Sequence, residues 1–397
     1  RGPFTIWTSP GALTSVKFDN ILETLEDADS GFTYFGRAGT VEFTTQDGDL
    51  IQVSARTSNG DFSKMFQGLN YNDSNTLGIG REMVIQNLVN NADYRSAFGA
   101  YNPSSYDIEV QFLFLDENGS LIGTPFNKTF VPHDYQAFAP FDEAGLSYPA
   151  YSYEDVLFYM YQVSGDGEIM CYGATANNNT NDPAVHSAIQ FNPDIYYSSP
   201  SHHQVIPEVL WAPAAGGGEW QTEIQITALS SSSQVSVYYN SSTGVRRGPI
   251  TLWTGGGNCS VKSSNILAAL DGLDSGFSYY GTAGVLEFVT QDQDHRIQVI
   301  ARTRNGDYSK SFQGLNVNAD NCVSENRGMM LQNLSSDDTY RTAVGVFNPT
   351  GQSVTVNFDL FASDGSLIGN FSKSFSAYEY KAFNPFSEAG YPYPTYS

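Results

Sequence analysis

The sequence has little positive charge and no long apolar run. Its 19 lysines and arginines stand against 42 aspartates and glutamates, which gives a net charge of −23. Binding to phosphate groups depends on clustered cations, so this balance argues against a nucleic-acid or anionic-membrane partner. No apolar stretch approaches the roughly 18 to 20 residues needed to cross a bilayer, and the first residues lack a signal-peptide pattern. We therefore expect no nucleic-acid partner and no membrane insertion.

Cysteine and histidine are also scarce. The three cysteines, Cys171, Cys259 and Cys322, fit neither a disulfide scaffold nor a zinc ribbon. Cys259 and Cys322 lie in one repeat unit, where an oxidising compartment would allow them to bond, and two free thiols are the alternative. With five histidines and no Gly-x-Ser-x-Gly elbow, we find no activated nucleophile. Paired carboxylates for glycoside hydrolysis meet only in space, so sequence leaves them open. We expect a protein that is not an enzyme and holds no cofactor.

What the sequence does contain is turn residues and aromatics. Charged residues make up only 15 % of the chain and aromatics 14 %, while Gly, Ser, Thr and Asn crowd the gaps between apolar runs. This composition favours short strands over helices, which draw on Ala, Leu, Glu and Lys. The acidic, amide-rich surface is typical of a protein kept soluble by mutual repulsion. We predict an all-β protein with an extracellular or cell-surface location.

A repeat with an offset of about 246 residues dominates the chain. Residues 1–7 (RGPFTIW) recur at 247–253 (RGPITLW), and residues 55–70 match 301–316 at 13 of 16 positions. Each unit also divides into two types of element series, A and B, and period-2 alternation such as Val110, Phe112 and Phe114 predicts β-sandwiches. The predicted fold is a tandem, internally duplicated array of immunoglobulin-like β-sandwich modules. The predicted type A strands are 206–213, 222–229, 234–240, 250–254, 284–290 and 296–303, and the type B strands are 82–88, 95–102, 108–116, 121–131, 156–163 and 168–176.

Short motifs in both types resemble a known kind of repeat. Type A has Ile206-Pro207 followed by WQTEI at 220–224, and later ART at 301–303 with SKSFQG at 309–314. Type B has YRS at 94–96, YNP at 101–103 and DENGSLIGT at 116–124. The chain thus resembles the tandem β-sandwich repeat modules of bacterial secreted and cell-surface proteins, a resemblance that covers nearly its whole length. It implies a fold and an extracellular address, and it brings no catalytic residue. The first type A copy departs from the pattern, since it lacks the Ile-Pro and Trp segment.

The repeat predicts four units of unequal completeness. Residues 81–200 form a complete type B sandwich and residues 203–322 a complete type A sandwich, whereas residues 1–75 hold the closing half of a type A unit and residues 327–397 the opening half of a type B unit. A half-sandwich costs about 25 cal/mol for each Å² of apolar area left uncovered, and its edge strands invite pairing. Three arrangements are open: halves joined between copies of the chain as a filament, halves closed within one chain, or a window of a longer array.

The favoured function is a structural subunit of an extracellular filament that polymerises head to tail by strand complementation between the terminal half-modules. Its partners would be copies of itself. The alternative is a carbohydrate-binding, spacer or adhesin region of a longer secreted protein. Residues expected at the intersubunit seam are Tyr391, Tyr393, Tyr396 and Trp7.

Glycans are the other candidate partners. Tyrosines at 148, 151, 153, 159 and 161 could stack on sugar rings, although Tyr and Pro more often pack a sandwich corner. Sequons permit glycosylation of the chain without demonstrating it. They start at Asn72, Asn118, Asn127, Asn178, Asn240, Asn258, Asn333 and Asn370.

Overall fold

The computed structural model describes most of the chain. The described residues are 16–29, 31–35, 39–45, 51–59, 62–67, 76–179, 183–187, 189–191, 202–214, 217–228, 233–254, 259–291, 296–306, 308–317, 322–323, 328–332, 334–337, 342–362 and 364–392.

These residues form four regions in chain order. The A segment, within residues 1–75, contains α1 (Ile21–Ala28), β1 (Ser54–Asn59) and β2 (Phe62–Gln67). Sandwich B, residues 76–191, contains β3 (Thr76–Leu77), β4 (Glu82–Asn90), β5 (Tyr94–Tyr101), β6 (Ile108–Leu115), β7 (Leu121–Phe130), β8 (Tyr135–Phe138), α2 (Pro140–Glu143), β9 (Tyr153–Ser164), β10 (Ile169–Asn177), β11 (Pro183–Ser187) and β12 (Ile189–Phe191).

Sandwich A, residues 203–317, contains β13 (His203–Pro213), β14 (Glu219–Ala228), β15 (Gln234–Ser241), β16 (Arg246–Trp253), β17 (Ser260–Ser263), α3 (Ile266–Leu273), β18 (Thr282–Thr290), β19 (Ile297–Asn305), β20 (Tyr308–Gln313) and β21 (Leu315–Asn316). The B segment, within residues 327–397, contains β22 (Val344–Phe347), β23 (Val354–Phe361), β24 (Leu367–Phe375), β25 (Tyr380–Phe383) and α4 (Pro385–Glu388). The predicted all-β class is confirmed. Among the described residues, no helix is long and apolar enough to span a membrane.

Sandwich B packs two antiparallel sheets face to face. One sheet has the order β12-β4-β9-β6-β7, and the other has the order β11-β10-β5-β8, with β3 also pairing with β10. Strand β6 alternates between fully buried and half-buried residues, which is the period-2 pattern predicted from the sequence. The buried set includes Phe112 and Phe114, whose rings stack on Phe158 of β9 and Phe141 of α2. A phenylalanine-rich core therefore holds the two sheets together.

Sandwich A repeats this strand order position by position. One sheet runs β16-β15-β18-β13 with β21 on β13, the other runs β17-β14-β19-β20, and the end of β13 pairs with β14 to link the two. Strands β13 to β21 thus occupy the places of β4 to β12. The two sandwiches have different sequences and the same topology.

The division of strands between the sheets differs from that of an immunoglobulin constant domain. Lettered A to G in chain order, strands β4 to β10 of sandwich B divide into A, C, D and F against B, E and G, and β4 is counted from here on as the first strand and β10 as the seventh. An immunoglobulin constant domain divides them into A, B, D and E against C, F and G. Relative to the B–E and C–F pairs, three strands have changed sheet: β4 and β7 pair with β9 and β6, and β10 pairs with β5.

In each sandwich, a pair of buried hydroxyl groups bonds to the first strand where that strand bends. In sandwich B the Ser96 hydroxyl bonds both the amide and the carbonyl of Val89 at 2.8 Å, and it lies 2.9 Å from the Thr175 hydroxyl. In sandwich A the Thr222 hydroxyl accepts from the Leu210 amide at 2.8 Å and lies 2.7 Å from the Thr303 hydroxyl. Each pair ties the first, second and seventh strands together and satisfies polar groups where the first strand bends.

Candidate assembly site

The B segment repeats half of sandwich B with the same local contacts. Phe358 stacks on Phe371 at 4.8 Å and meets the edge of Phe383 at 5.4 Å, as Phe112 does with Phe126 and Phe138. Strand β23 pairs with β24 and β22 pairs with β25, in the same way that β6 pairs with β7 and β5 with β8. This half of the sandwich forms without the other half.

The B segment differs from sandwich B in what covers its inner face. Strand β6 lies between β7 and β9, and Val110 and Phe112 are fully buried. Strand β23 is paired only with β24 among the described residues, and the matching Val356 and Phe358 are half-buried. The ring of Phe158, which stacks on Phe112 in sandwich B, has no counterpart within residues 1–397.

The counterpart of the first strand of sandwich B is unpaired and exposed. Residues 82–88 (EMVIQNL) recur at 328–334 (GMMLQNL), yet residues 328–332 lie in no strand. Met83 is fully buried in β4, whereas Met329 is 53 % exposed, because β4 pairs along its length with β9. Three consecutive apolar side chains, Met329, Met330 and Leu331, therefore face solvent.

In the A segment, the counterpart of a central sandwich strand is also exposed. Residues 39–45 match β18, the central strand of sandwich A, but they lie in no strand. Phe43 is 40 % exposed where Phe288 is fully buried, because β18 lies between β13 and β15 and the A segment lacks counterparts of both within residues 1–397. Exposed apolar strands of this kind are sites of pairing with another strand.

The two complete sandwiches meet in a polar, buried joint. The Gln86 amide donates to the Thr227 hydroxyl, and the Asn87 amide nitrogen donates to the Gln225 side-chain oxygen at 3.1 Å. Gln86, Asn87, Gln225 and Thr227 are almost fully buried. Strand β14 is therefore covered on both faces, by its own core and by sandwich B.

An ion pair reinforces the same joint. Arg302 and Glu223 pair with both side chains almost fully buried, and the Arg302 guanidinium lies 4.9 Å from the centroid of the Tyr94 ring in sandwich B. A buried charge needs a partner, and the guanidinium also gains from the aromatic face. The joint thus holds sandwich B and sandwich A in a fixed relation.

A second joint links sandwich A to the B segment. Tyr380 packs with Val205, Val285 and Phe347, and burial is the main cause that raises the pKa of the Tyr380 hydroxyl. The Arg246 guanidinium lies 3.9 Å from the centroid of the Tyr378 ring and 3.0 Å from the Glu287 carboxylate. The B segment is therefore anchored on sandwich A, while Val356 and Phe358 on its inner face are only half-buried.

The A segment also touches sandwich B and the B segment. The Tyr101 hydroxyl donates to Glu42 at 3.0 Å, which together with burial raises the pKa of Tyr101 to about 12. The Gln332 amide donates to the Gln52 carbonyl at 3.3 Å. This hydrogen bond is a contact between the A segment and the B segment. Residues 39–45 nevertheless lie outside any sheet.

No disulfide joins the cysteines in the structure, so the Cys259–Cys322 bond is not formed there. Cys259 precedes β17, which pairs with β14, while Cys322 follows β21, which pairs with β13 in the opposite sheet. Cys171 is buried in the core of sandwich B, and burial raises the pKa of its thiol.

Of the five sequon asparagines within the described residues, four are exposed and one is buried. Asn118, Asn127, Asn178 and Asn370 are exposed on turns or strand faces. Asn240 is buried in β15 and accepts a hydrogen bond from Arg246 at 2.8 Å, so in this fold its amide has no room for a glycan. Asn72, Asn258 and Asn333 lie outside the described residues.

The predicted seam residues and sugar platform are only partly described. Tyr391 packs on its own segment, where its hydroxyl donates to the Ile368 carbonyl at 2.8 Å, and Trp7, Tyr393 and Tyr396 lie outside the described residues. Tyr148 and Tyr151 are exposed, whereas Tyr159 is buried against Val84. The tyrosine run therefore divides between the surface and a packing cluster.

Neither a metal site nor a relative identifies the protein. Within the described part of the chain, no group of three or more His, Cys, Asp or Glu side chains could hold a metal ion. Comparisons with protein-family models, curated proteins and solved structures found no match for this chain. The uncovered strands of the A and B segments are the features with the clearest capacity to bind a partner.

Proposed function

We propose that this protein is a structural subunit of an extracellular or cell-surface filament, built as a tandem array of β-sandwich modules that join head to tail by strand complementation. One observation carries the proposal. Strand β23 has the sequence and local contacts of β6, and residues 39–45 have the sequence of β18, but among the described residues β23 lacks the neighbour that buries β6 and residues 39–45 lack both neighbours of β18.

The shared topology supports an exchange between types A and B. Strands β18 and β19 hold the same places in sandwich A that β9 and β10 hold in sandwich B. The A segment carries the sequences of β18 and β19, and the B segment carries those of β4 to β8. An A-type closing half can therefore complete a B-type opening half in the strand order that both sandwiches use.

The joints support an elongated, repeating assembly. Across the joint between the two complete sandwiches Asn87 bonds Gln225 and Arg302 faces the Tyr94 ring, and across the joint on the B segment Arg246 faces the Tyr378 ring. When a contact between copies is heterologous, it repeats, and an open filament follows. Only the B segment of one chain and the A segment of the next are needed to continue it.

The test is the size of the pure chain as a function of concentration. Analytical ultracentrifugation should show a mass that rises with concentration, and negative-stain electron microscopy should show chains of modules. Phe358→Asp, which places a charge on the uncovered face, should abolish the growth, while Glu117→Asp on an exposed turn of sandwich B should leave it unchanged. A monomer at every concentration would contradict the proposal and favour closure within one chain or a spacer region of a longer protein.

A further inference from the structure

The two complete sandwiches use one register for the central strand. In sandwich B, Phe112 of β6 lies opposite Met160, and Phe114 lies opposite Phe158 of β9. The first strand sets the same frame, because Ile85 also lies opposite Phe158.

Sandwich A has the same pairing with different residues. Val237 of β15 lies opposite Phe288, and Tyr239 lies opposite Leu286 of β18. Ile206 of the first strand lies opposite Leu286, as Ile85 lies opposite Phe158. Positions of β9 and β18 can therefore be matched one to one, with Phe158 at the place of Leu286 and Met160 at the place of Phe288.

The repeat carries these positions into the two segments. Phe358 and Leu360 of β23 correspond to Phe112 and Phe114. Phe43 and Val41 of the A segment correspond to Phe288 and Leu286. All of these positions point inward in the complete sandwiches, where they are fully buried.

We infer that residues 39–45 of a second copy of this chain insert between β23 and residues 328–332 of the B segment, with Phe43 opposite Phe358 and Val41 opposite Leu360. This inference rests on the proposed function and names the partner segment and its register. Val41 then fills the place of the Phe158 ring, and Phe43 fills the place of Met160.

The buried hydroxyl pair supports the same partner. In the B segment the Thr342 hydroxyl accepts from the Ser335 amide and donates to the Ser335 carbonyl, both at 2.9 Å, as Ser96 does with Val89. In the complete sandwiches, the matching hydroxyl lies beside a second hydroxyl from the seventh strand. That second hydroxyl belongs to Thr175 in sandwich B and to Thr303 in sandwich A. Thr57 of β1 corresponds to Thr303 and is exposed. Strand β1 of the second copy, inserted beside β22, places Thr57 next to Thr342.

The register also sets Asp359 of β23 opposite Glu42 on the outer face of the sheet. In sandwich B, residue 113 of β6 lies opposite Tyr159 of β9, and Asp359 is its counterpart in β23. The counterpart of Tyr159 is Glu287 in sandwich A and Glu42 in the A segment. Like charges directly opposite each other weaken a strand pair. This unfavourable pair exists only in the inferred register and can be tested.

Disulfide trapping tests the register. Two chains are made in a Cys259→Ser, Cys322→Ser background: one carries Phe358→Cys and an affinity tag, and the other carries Phe43→Cys. Mixed under mild oxidation, they should form a covalent heterodimer. A matched mixture of Phe358→Cys with Val41→Cys should give about tenfold less, because diagonal partners lie beyond ready disulfide reach.

Charge reversal gives a second readout that needs no cross-link. Asp359→Lys should tighten association about two- to fivefold, and adding Glu42→Lys should remove that gain. Asn357→Lys, on the same outer face of β23, is the control and should give a smaller change that is indifferent to residue 42.

The outcomes separate the two proposals. If the chains associate but only the mixture of Phe358→Cys with Val41→Cys cross-links, the register is wrong and the filament proposal still holds. Absence of association at every concentration would overturn both. A Phe43→Cys, Phe358→Cys double variant that cross-links only within one chain would overturn the second copy as the partner.

Discussion

The A segment and sandwich A are two copies of one sequence in two structural states. Helices α1 and α3 begin after an asparagine cap in both, where Asn20 accepts from the Glu23 amide and Asn265 accepts from the Ala268 amide. Helix α3 buries Ile266, Leu267 and Leu270, whereas α1 buries none of its residues. Local signals therefore form the helix, and long-range strands bury it.

Sandwich B and the B segment give the same lesson for strands. Asn102 ties its corner to three carbonyls, and Asn348 does the same in the B segment. The Lys128–Glu143 ion pair at 2.7 Å recurs as Lys373–Glu388 at 2.7 Å. Hairpins and corners form from local sequence, while the strands that need distant partners, at 39–45 and 328–332, stay outside any sheet.

The largest expected effect is a difference in stability loss between Phe112→Ala in sandwich B and Phe358→Ala at the matching position of the B segment. Phe112→Ala should destabilise sandwich B by about 3 to 5 kcal/mol, because it removes a fully buried ring among four others. Phe358→Ala should cost the dissociated chain less than about 1 kcal/mol, because its ring is only half covered. Urea unfolding followed by hydrogen exchange of each region measures both, and equal costs would refute the contrast.

The second effect concerns the joint between the complete sandwiches. Arg302→Ala should destabilise sandwich A by about 3 kcal/mol, because it removes the buried partner of Glu223 and leaves only the partly exposed Arg304 at 3.6 Å. Lys310→Ala breaks an exposed pair with Glu208 and should cost about 0 to 1 kcal/mol. Calorimetric unfolding of the two variants measures the difference, and a cost at Arg302 as small as that at Lys310 would show that the joint is loose.

A smaller effect should distinguish the two helix caps. Asn265→Ala should lower the stability of sandwich A by about 1 kcal/mol, since the capped helix is buried in its core. Asn20→Ala should unfold α1 locally and leave the cooperative transition unchanged, because α1 is not part of a buried core. Thermal unfolding by calorimetry reads the first change, and hydrogen exchange of residues 21–28 reads the second.

The smallest effect is a pH dependence within sandwich A. The ion pair and hydrogen bonds with Arg247 lower the pKa of Asp274 to about 2. Because the folded pKa lies below the unfolded value, Asp274 stabilises the fold above about pH 4, and this contribution is lost as the pH falls toward 2. Asp274→Asn should flatten the pH dependence of the melting temperature across that window. An unchanged pH dependence in this variant would contradict the assignment.

Sequence alone predicts much of the architecture, because strand positions depend on local alternation. The twelve predicted strands, from 82–88 to 296–303, all overlap observed strands. The pairing order of the sheets could not be read, since only the tertiary fold assigns the consecutive strands β9 and β10 to different sheets. Side chains of the joint, such as Gln86 and Gln225, resemble solvent-facing residues in sequence and become buried only when two sandwiches meet.

The most direct test of the central claim compares β6 and β23 by hydrogen exchange at two concentrations of the unmodified chain. The account predicts that the amides of 108–115 are protected at both concentrations, while those of 39–45 and those of 354–361 that do not bond to β24 become protected only at the higher one, where chains associate. Equal protection of 354–361 at the lowest concentration, where the chain is monomeric, would contradict it.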